Sequence, residues 1–252
     1  MRDRRDGHIT PEQPYGELPR VNGRAAVGVL TRTAAPIDDH VDRLLRNSHP
    51  GLWSHSGVRQ ALSAALAPIP PEHAATLGKV DIKSDKDPRV RASYTPKRYS
   101  TRKKGYNPAH ITLTPQMMSP DYEDETQKLE RDGILAKTGL PAMEHALHHE
   151  VGHHLYAQMR NAPRDAMWNE IGAQPEFKAP NPESVQPVAP RFMASNKSNL
   201  TKHVSAYAAT SHEEASAELY AQHFGQHATE ASHIAFRHLT GENHDISRPD
   251  AG

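Results

Sequence analysis

Two periods of apolar and polar positions run along this chain, and the change from one to the other divides it. Val58–Leu66 reads as a helix stopped by Pro68 and Pro70. Three extended segments follow. Lys79–Ile82 alternates, Val90–Tyr94 is bounded by Pro88 and Pro96, and His110–Thr114 alternates and ends at Pro115. From there the helical period takes over. Residues 120–138 predict a charged helix starting near Ser119. Pro141–Arg160 predicts a longer one, with Met143, Leu147, Val151, Leu155 and Met159 as an apolar stripe at spacing four. Residues 165–172 carry Met167, Trp168 and Ile171 in a short helix. A last helical region, His212–Leu239, turns Ala215, Leu219 and Phe224 inward, with Gly225 as a point of breakage. Gln174–Asn199 holds five prolines and is expected to be a flap over a cleft. The pattern implies an α+β domain: a small sheet, then helices.

The ends are different. Residues 1–50 read as an arm rich in charge, Gly and Pro, with one short helix, Pro36–Asn47, whose apolar side is Val41, Leu44 and Leu45. The domain is expected over 51–240, and 241–252 as a flexible tail. The charged start, Met1 to Asp6, argues against a secretory signal, and the longest apolar run, Ala25–Leu30, is too short to cross a bilayer. Neither a membrane nor a particular oligomeric state is implied.

Composition removes several classes of chemistry. Thirty Lys and Arg balance 30 Asp and Glu, so no global charge points to nucleic acid. A local basic run, Lys97 to Tyr106 with two tyrosines, has the residue types for phosphates and bases, but a solvated hairpin loop is the commoner use. There is no cysteine, so a metal must be held by His and carboxylate.

The helix at 141–160 contains His149-Glu150-Val151-Gly152-His153, an H-E-x-x-H pattern. Residues four apart on a helix lie about 40° apart, so His149 and His153 can grip one Zn²⁺ while Glu150 faces the open position. They lie nearly opposite the apolar stripe, so one side of the helix is expected to pack and the other to line a cleft. Gly152 costs roughly 1 kcal/mol against Ala in mid-helix, a cost that a close backbone approach justifies. With 18 histidines in the chain, a random match is expected on the order of a tenth of the time. His145 and His149 form a rival pair at the same spacing.

A third ligand is needed. The candidates are in Ser205–Glu218, where Glu214 and Glu218 share a helical face and Glu213 lies about 100° off. Capping competes for them. Ser211 with Glu214, or Thr210 with Glu213, satisfies the S/T-x-x-E box, and in the first case Glu214 is spent.

H-E-x-G-H followed by Tyr207, Glu214 and Glu218 resembles the lethal-factor-type branch of the gluzincin zinc metallopeptidases, whose relatives occur in bacterial toxins and in phage proteins. The resemblance implies a zincin-like fold with an edge strand over the cleft, to which Ala109–Thr114 is similar. It implies His149, His153 and Glu214 as zinc ligands, Glu150 as general base, Tyr207 as oxyanion donor and Glu218 as the carboxylate behind a ligand. The implied activity is cleavage of polypeptide, with substrate adding to the His110–Thr114 edge. The implied location is cytoplasmic or virion-associated. Ser216 stands where the family usually has an aromatic. The alternatives are a non-catalytic zinc-binding structural or phage-associated protein of the same fold, and a histidine-rich helix without a specific site.

Overall fold

The computed structural model describes residues 35–46, 56–83, 90–100 and 104–241. Residues 1–34 and 47–50 of the expected arm and 242–252 of the expected tail lie outside them. The described residues form a mixed α+β fold with nine α-helices, a three-stranded mixed sheet and a two-stranded hairpin. None of these helices is long and apolar enough to cross a membrane.

The first two helices are α1, Ala35–Arg46, and α2, Ser56–Leu66. Val41, Leu44 and Leu45 of α1 are buried in the main core, so this helix is a packed element rather than part of a loose arm. After the single turn α3, Pro71–Ala74, come β1, Leu77–Ile82; β2, Ala92–Thr95; β3, Arg98–Ser100; β4, Gly105–Asn107; and β5, Ala109–Leu113. Ala109, Ile111 and Leu113 point into the core while His110 and Thr112 do not, as the alternation requires.

The strand order is β1-β5-β2, with β5 parallel to β1 and antiparallel to β2. This corrects the expectation for His110–Thr114. That segment is the inner strand, hydrogen-bonded on both sides, and cannot take up a further strand. β2 is at the edge, packed beside the motif helix. Two adjacent strands cannot be ordered by periodicity alone, because inner and edge strands alternate alike.

Six more helices complete the fold: α4, Tyr122–Arg131; α5, Ala142–Gln158; α6, Asn161–Gly172; α7, Val188–His203; α8, His212–His223; and α9, Glu230–Thr240. α5 carries the motif and is the hub, touching α2, α4, β2, α8 and α9. It is buried on nearly every side: Leu147, Val151 and Leu155 as expected, and also His145, His148, His154 and Tyr156. A two-faced helix is therefore not what forms.

Gln174–Asn199 is not a flap. From Val188 onward it is α7, whose Val188, Phe192, Asn196 and Leu200 are buried at helical spacing. Pro187 is its N-cap and Pro190 lies in its first turn, where a missing N–H costs nothing. The Asn196 amide ties the preceding loop down, accepting from Lys178 N–H at 2.7 Å and donating to Lys178 C=O at 2.8 Å. The last helical region is split, as Gly225 allowed. A Cβ there would lie 2.4 Å from the Thr138 carbonyl oxygen.

Candidate metal centre

The centre is made where α8 crosses α5. At the crossing, a Cβ on Gly152 would come within 2.8 Å of Ala217 Cα and 3.1 Å of Tyr220 Cβ. The glycine thus sets the helix separation, and the close approach is the reason for its presence in mid-helix. Ser216, beside the crossing, is fully buried, and its hydroxyl donates to the Glu213 carbonyl at 2.7 Å. That satisfies the polar group standing where the resemblance expects an aromatic.

Ser211 is the N-cap of α8, its Oγ accepting from the Glu214 N–H at 3.2 Å. The sequence made capping by Ser211 and ligation by Glu214 exclusive. They are compatible, because the cap uses the backbone N–H and leaves the carboxylate free.

Three donor atoms then converge. Glu214 Oε2 lies 3.2 Å from His149 Nε2 and 3.1 Å from His153 Nε2, and the two Nε2 atoms are 3.1 Å apart. Donors around a tetrahedral ion with bonds of about 2.0–2.1 Å stand about 3.3 Å apart. These three residues can therefore hold a metal ion, and they are the one such group among the described residues.

Behind this triangle, Glu218 is fully buried. Its Oε1 lies 2.9 Å from His149 Nδ1, and its Oε2 accepts from Ala136 N–H at 2.5 Å and from Ser205 Oγ at 2.8 Å. With Nδ1–H turned to Glu218, the Nε2 of His149 presents a lone pair to the Glu214 oxygen and to His153. Such a meeting of acceptors needs a proton or a cation between them. Burial acts to lower the His149 pKa, but Glu214 and Glu218 outweigh it and raise it to about 10. Burial also acts to raise that of Glu214, yet His149 and His153 hold it well below the usual carboxylate range. The field that binds a proton here equally favours a divalent cation.

Glu150 is buried, and its Oε2 has no hydrogen-bond partner among the described residues. Burial raises its pKa; His149, His153 and the Tyr94 backbone N–H act in the other direction. Tyr207 is 40% exposed, with its ring stacked on His149 at 5.8 Å between centroids. Burial of the hydroxyl end and the neighbouring Glu214 push its pKa up, so the phenol keeps its proton at neutral pH. Its backbone N–H donates to the Ile134 carbonyl at 3.0 Å.

The rival pair is excluded by His145, whose Nδ1 lies 2.9 Å from Glu130 Oε1, away from the triangle. The flanking histidines have other partners. His148 stacks on Phe224 with centroids 4.0 Å apart, and His154 Nε2 lies 3.0 Å from Thr76 Oγ1. The sequence reading passed over Ser205 and the Ala136 N–H. Ser205 is two residues before Tyr207 and gave no spacing signal; a backbone donor has no residue type to signal it.

No protein-family model, curated protein or solved structure matches this chain.

Proposed function

We propose that this chain is a zinc-dependent endopeptidase of the gluzincin type, with a zincin-like fold. The observation that carries the reading is the triangle of His149 Nε2, His153 Nε2 and Glu214 Oε2 with Glu150 beside it. His149, His153 and Glu214 would hold the zinc, which would supply Lewis acidity for making water acidic and polarising the scissile carbonyl.

The chain's own residues do the rest. Glu150 takes the proton of the attacking water and returns it to the leaving amine. Its burial, which raises its proton affinity, suits a group that must both accept and release a proton. Tyr207, protonated and half open to solvent, donates to the oxygen that gains negative charge. Glu218 fixes the tautomer of His149. The outer side of β2, where the Tyr94 N–H faces Glu150, lays out an extended polypeptide through its remaining backbone groups.

The test is Glu150→Gln. Both parent and variant are expected to bind about one zinc per chain, and the variant to cleave peptides roughly 10²–10⁴-fold more slowly. Cleavage by the variant at the parent's rate removes Glu150 as base. Zinc bound by a parent that cleaves nothing leaves the non-catalytic zinc-binding domain instead.

A further inference from the structure

The charges of this chain are unevenly placed. Residues 88–120 contain Arg89, Arg91, Lys97, Arg98, Arg102, Lys103 and Lys104, and no Asp or Glu. Arg91 is paired with Glu125. Lys97, Arg98 and Lys104 are exposed and form no ion pair with another described residue. Lys97 lies over the Tyr106 ring, 4.9 Å from its centroid, which orders the ammonium without neutralising it.

Their position gives these charges a direction. In the β2–β5 ladder and in the β3–β4 ladder alike, paired residue numbers add to 205, as for Thr95 with His110 and Arg98 with Asn107. The hairpin therefore continues the β2–β5 ribbon in register, interrupted only at Pro96 and Pro108, which have no N–H to give. The line from Glu150 and Tyr94 along the edge strand leads straight into Lys97 and Arg98. At about 3.3 Å per residue they stand roughly 10–13 Å from the Tyr94 level.

We propose that the β3–β4 hairpin selects substrates bearing acidic side chains on one side of the scissile bond, three to four residues away. This rests on the peptidase reading above. An extended chain paired to β2 at Tyr94 carries its third and fourth residues past Lys97 and Arg98. Carboxylates there meet cations that form no ion pair with another described residue. A nucleic acid fits the same charges less well, because the hairpin offers three described cations and one exposed ring, short of a groove that tracks a backbone.

The experiment uses the full zinc-loaded chain and two peptides that share the same cleaved core. One carries Asp and Glu three and four residues from the bond on either side in turn, and the other carries Gln and Asn. The acidic form on one side is expected to be cleaved with about tenfold higher kcat/KM at low salt, as two or three exposed ion pairs allow, and the ratio to fall toward one at 0.5 M NaCl. The variant Lys97→Glu/Arg98→Glu/Lys104→Glu should invert or abolish the ratio, while its thermal midpoint stays near the parent's. Equal cleavage of both peptides by the parent overturns the selection and leaves the peptidase reading standing, as does a ratio unchanged in the variant. Cleavage of neither peptide overturns both. Salt-sensitive binding of a single-stranded oligonucleotide, lost in the variant, together with a peptide ratio of one, gives the hairpin to nucleic acid.

Discussion

Glu218 shows how much of the centre depends on a residue that touches no ligand position. It lies against one imidazole nitrogen of His149 and leaves the other toward the triangle that could hold an ion, and it is itself held by Ser205 and the Ala136 N–H. Glu218→Gln is expected to weaken zinc binding about 10–100-fold, read by competition against a chelator of known affinity; unchanged affinity makes the contact incidental. Glu214→Gln should weaken it far more, because it removes the anionic donor itself. His149, Glu150 and His153 were legible because a helix fixes their mutual angles whatever surrounds it. Spacing made Glu214 a candidate alongside Glu213 and Glu218, and only the resemblance chose it and gave Tyr207 a role, since a crossing of two helices is not written in either one. Titration also belongs to this scale. Burial, with His233 and His148 nearby, lowers the His223 pKa to about 4. Between pH 6.5 and 4 the unfolded chain then binds more protons, so stability falls as pH falls through that window. In chelator-treated protein, His223→Phe, which keeps the stack on Phe236, should lose less stability than the parent between pH 7 and 4.5. The difference is on the order of 1–2 kcal/mol, discounted for partial exposure. Parallel denaturation curves at the two pH values settle it. Glu130 acts lower: burial raises its pKa, but His145 and Thr138 outweigh that and bring it to about 2. Its contribution, complete above about 4.5, is lost only as pH falls toward 2.

Among the elements, the α5–α8 crossing is the most sensitive joint. Gly152→Ala improves helix propensity by roughly 1 kcal/mol yet places a methyl 2.8 Å from Ala217 Cα. Backbone cannot yield as a side chain can, so the expected net effect is a loss of about 1–3 kcal/mol together with weaker zinc binding. Denaturant midpoints and chelator competition measured side by side test this, and a variant at least as stable as the parent denies that contact limits the crossing. The second joint is Asn196, fully buried and bonded to Lys178 on both sides. Asn196→Ala leaves those groups unpaired and should cost about 2–3 kcal/mol. Its helix, α7, shows why elements were only partly legible. Five prolines in Gln174–Asn199 spoke for a loop, but Pro190 sits where a helix tolerates it, and the Phe192, Asn196, Leu200 spacing beyond it was the better guide. Likewise β1, β2 and β5 were each readable as strands, but their order was not, because that depends on pairing between residues 15 to 32 apart in the chain.

For the whole molecule, α+β class and the passage from sheet to helices followed from the change of period, and the hub role of α5 did not. Its histidines made it look half-solvated, whereas His145, His148 and His154 are buried, against Glu130, Phe224 and Thr76 respectively. The free edge of β2 has a consequence for the molecule in company with its own kind. An edge proposed to receive a substrate strand is open on the same grounds to the same strand from a second copy, and sheet edges are where proteins begin to polymerise. Pro96 and Pro108 cut the ribbon into two short lengths, and the cations beyond them, ion-paired with no other described residue, meet the same cations on any copy that approaches. Pro96→Val should therefore make concentrated solutions of the protein associate, most of all at high salt, where that mutual repulsion is screened.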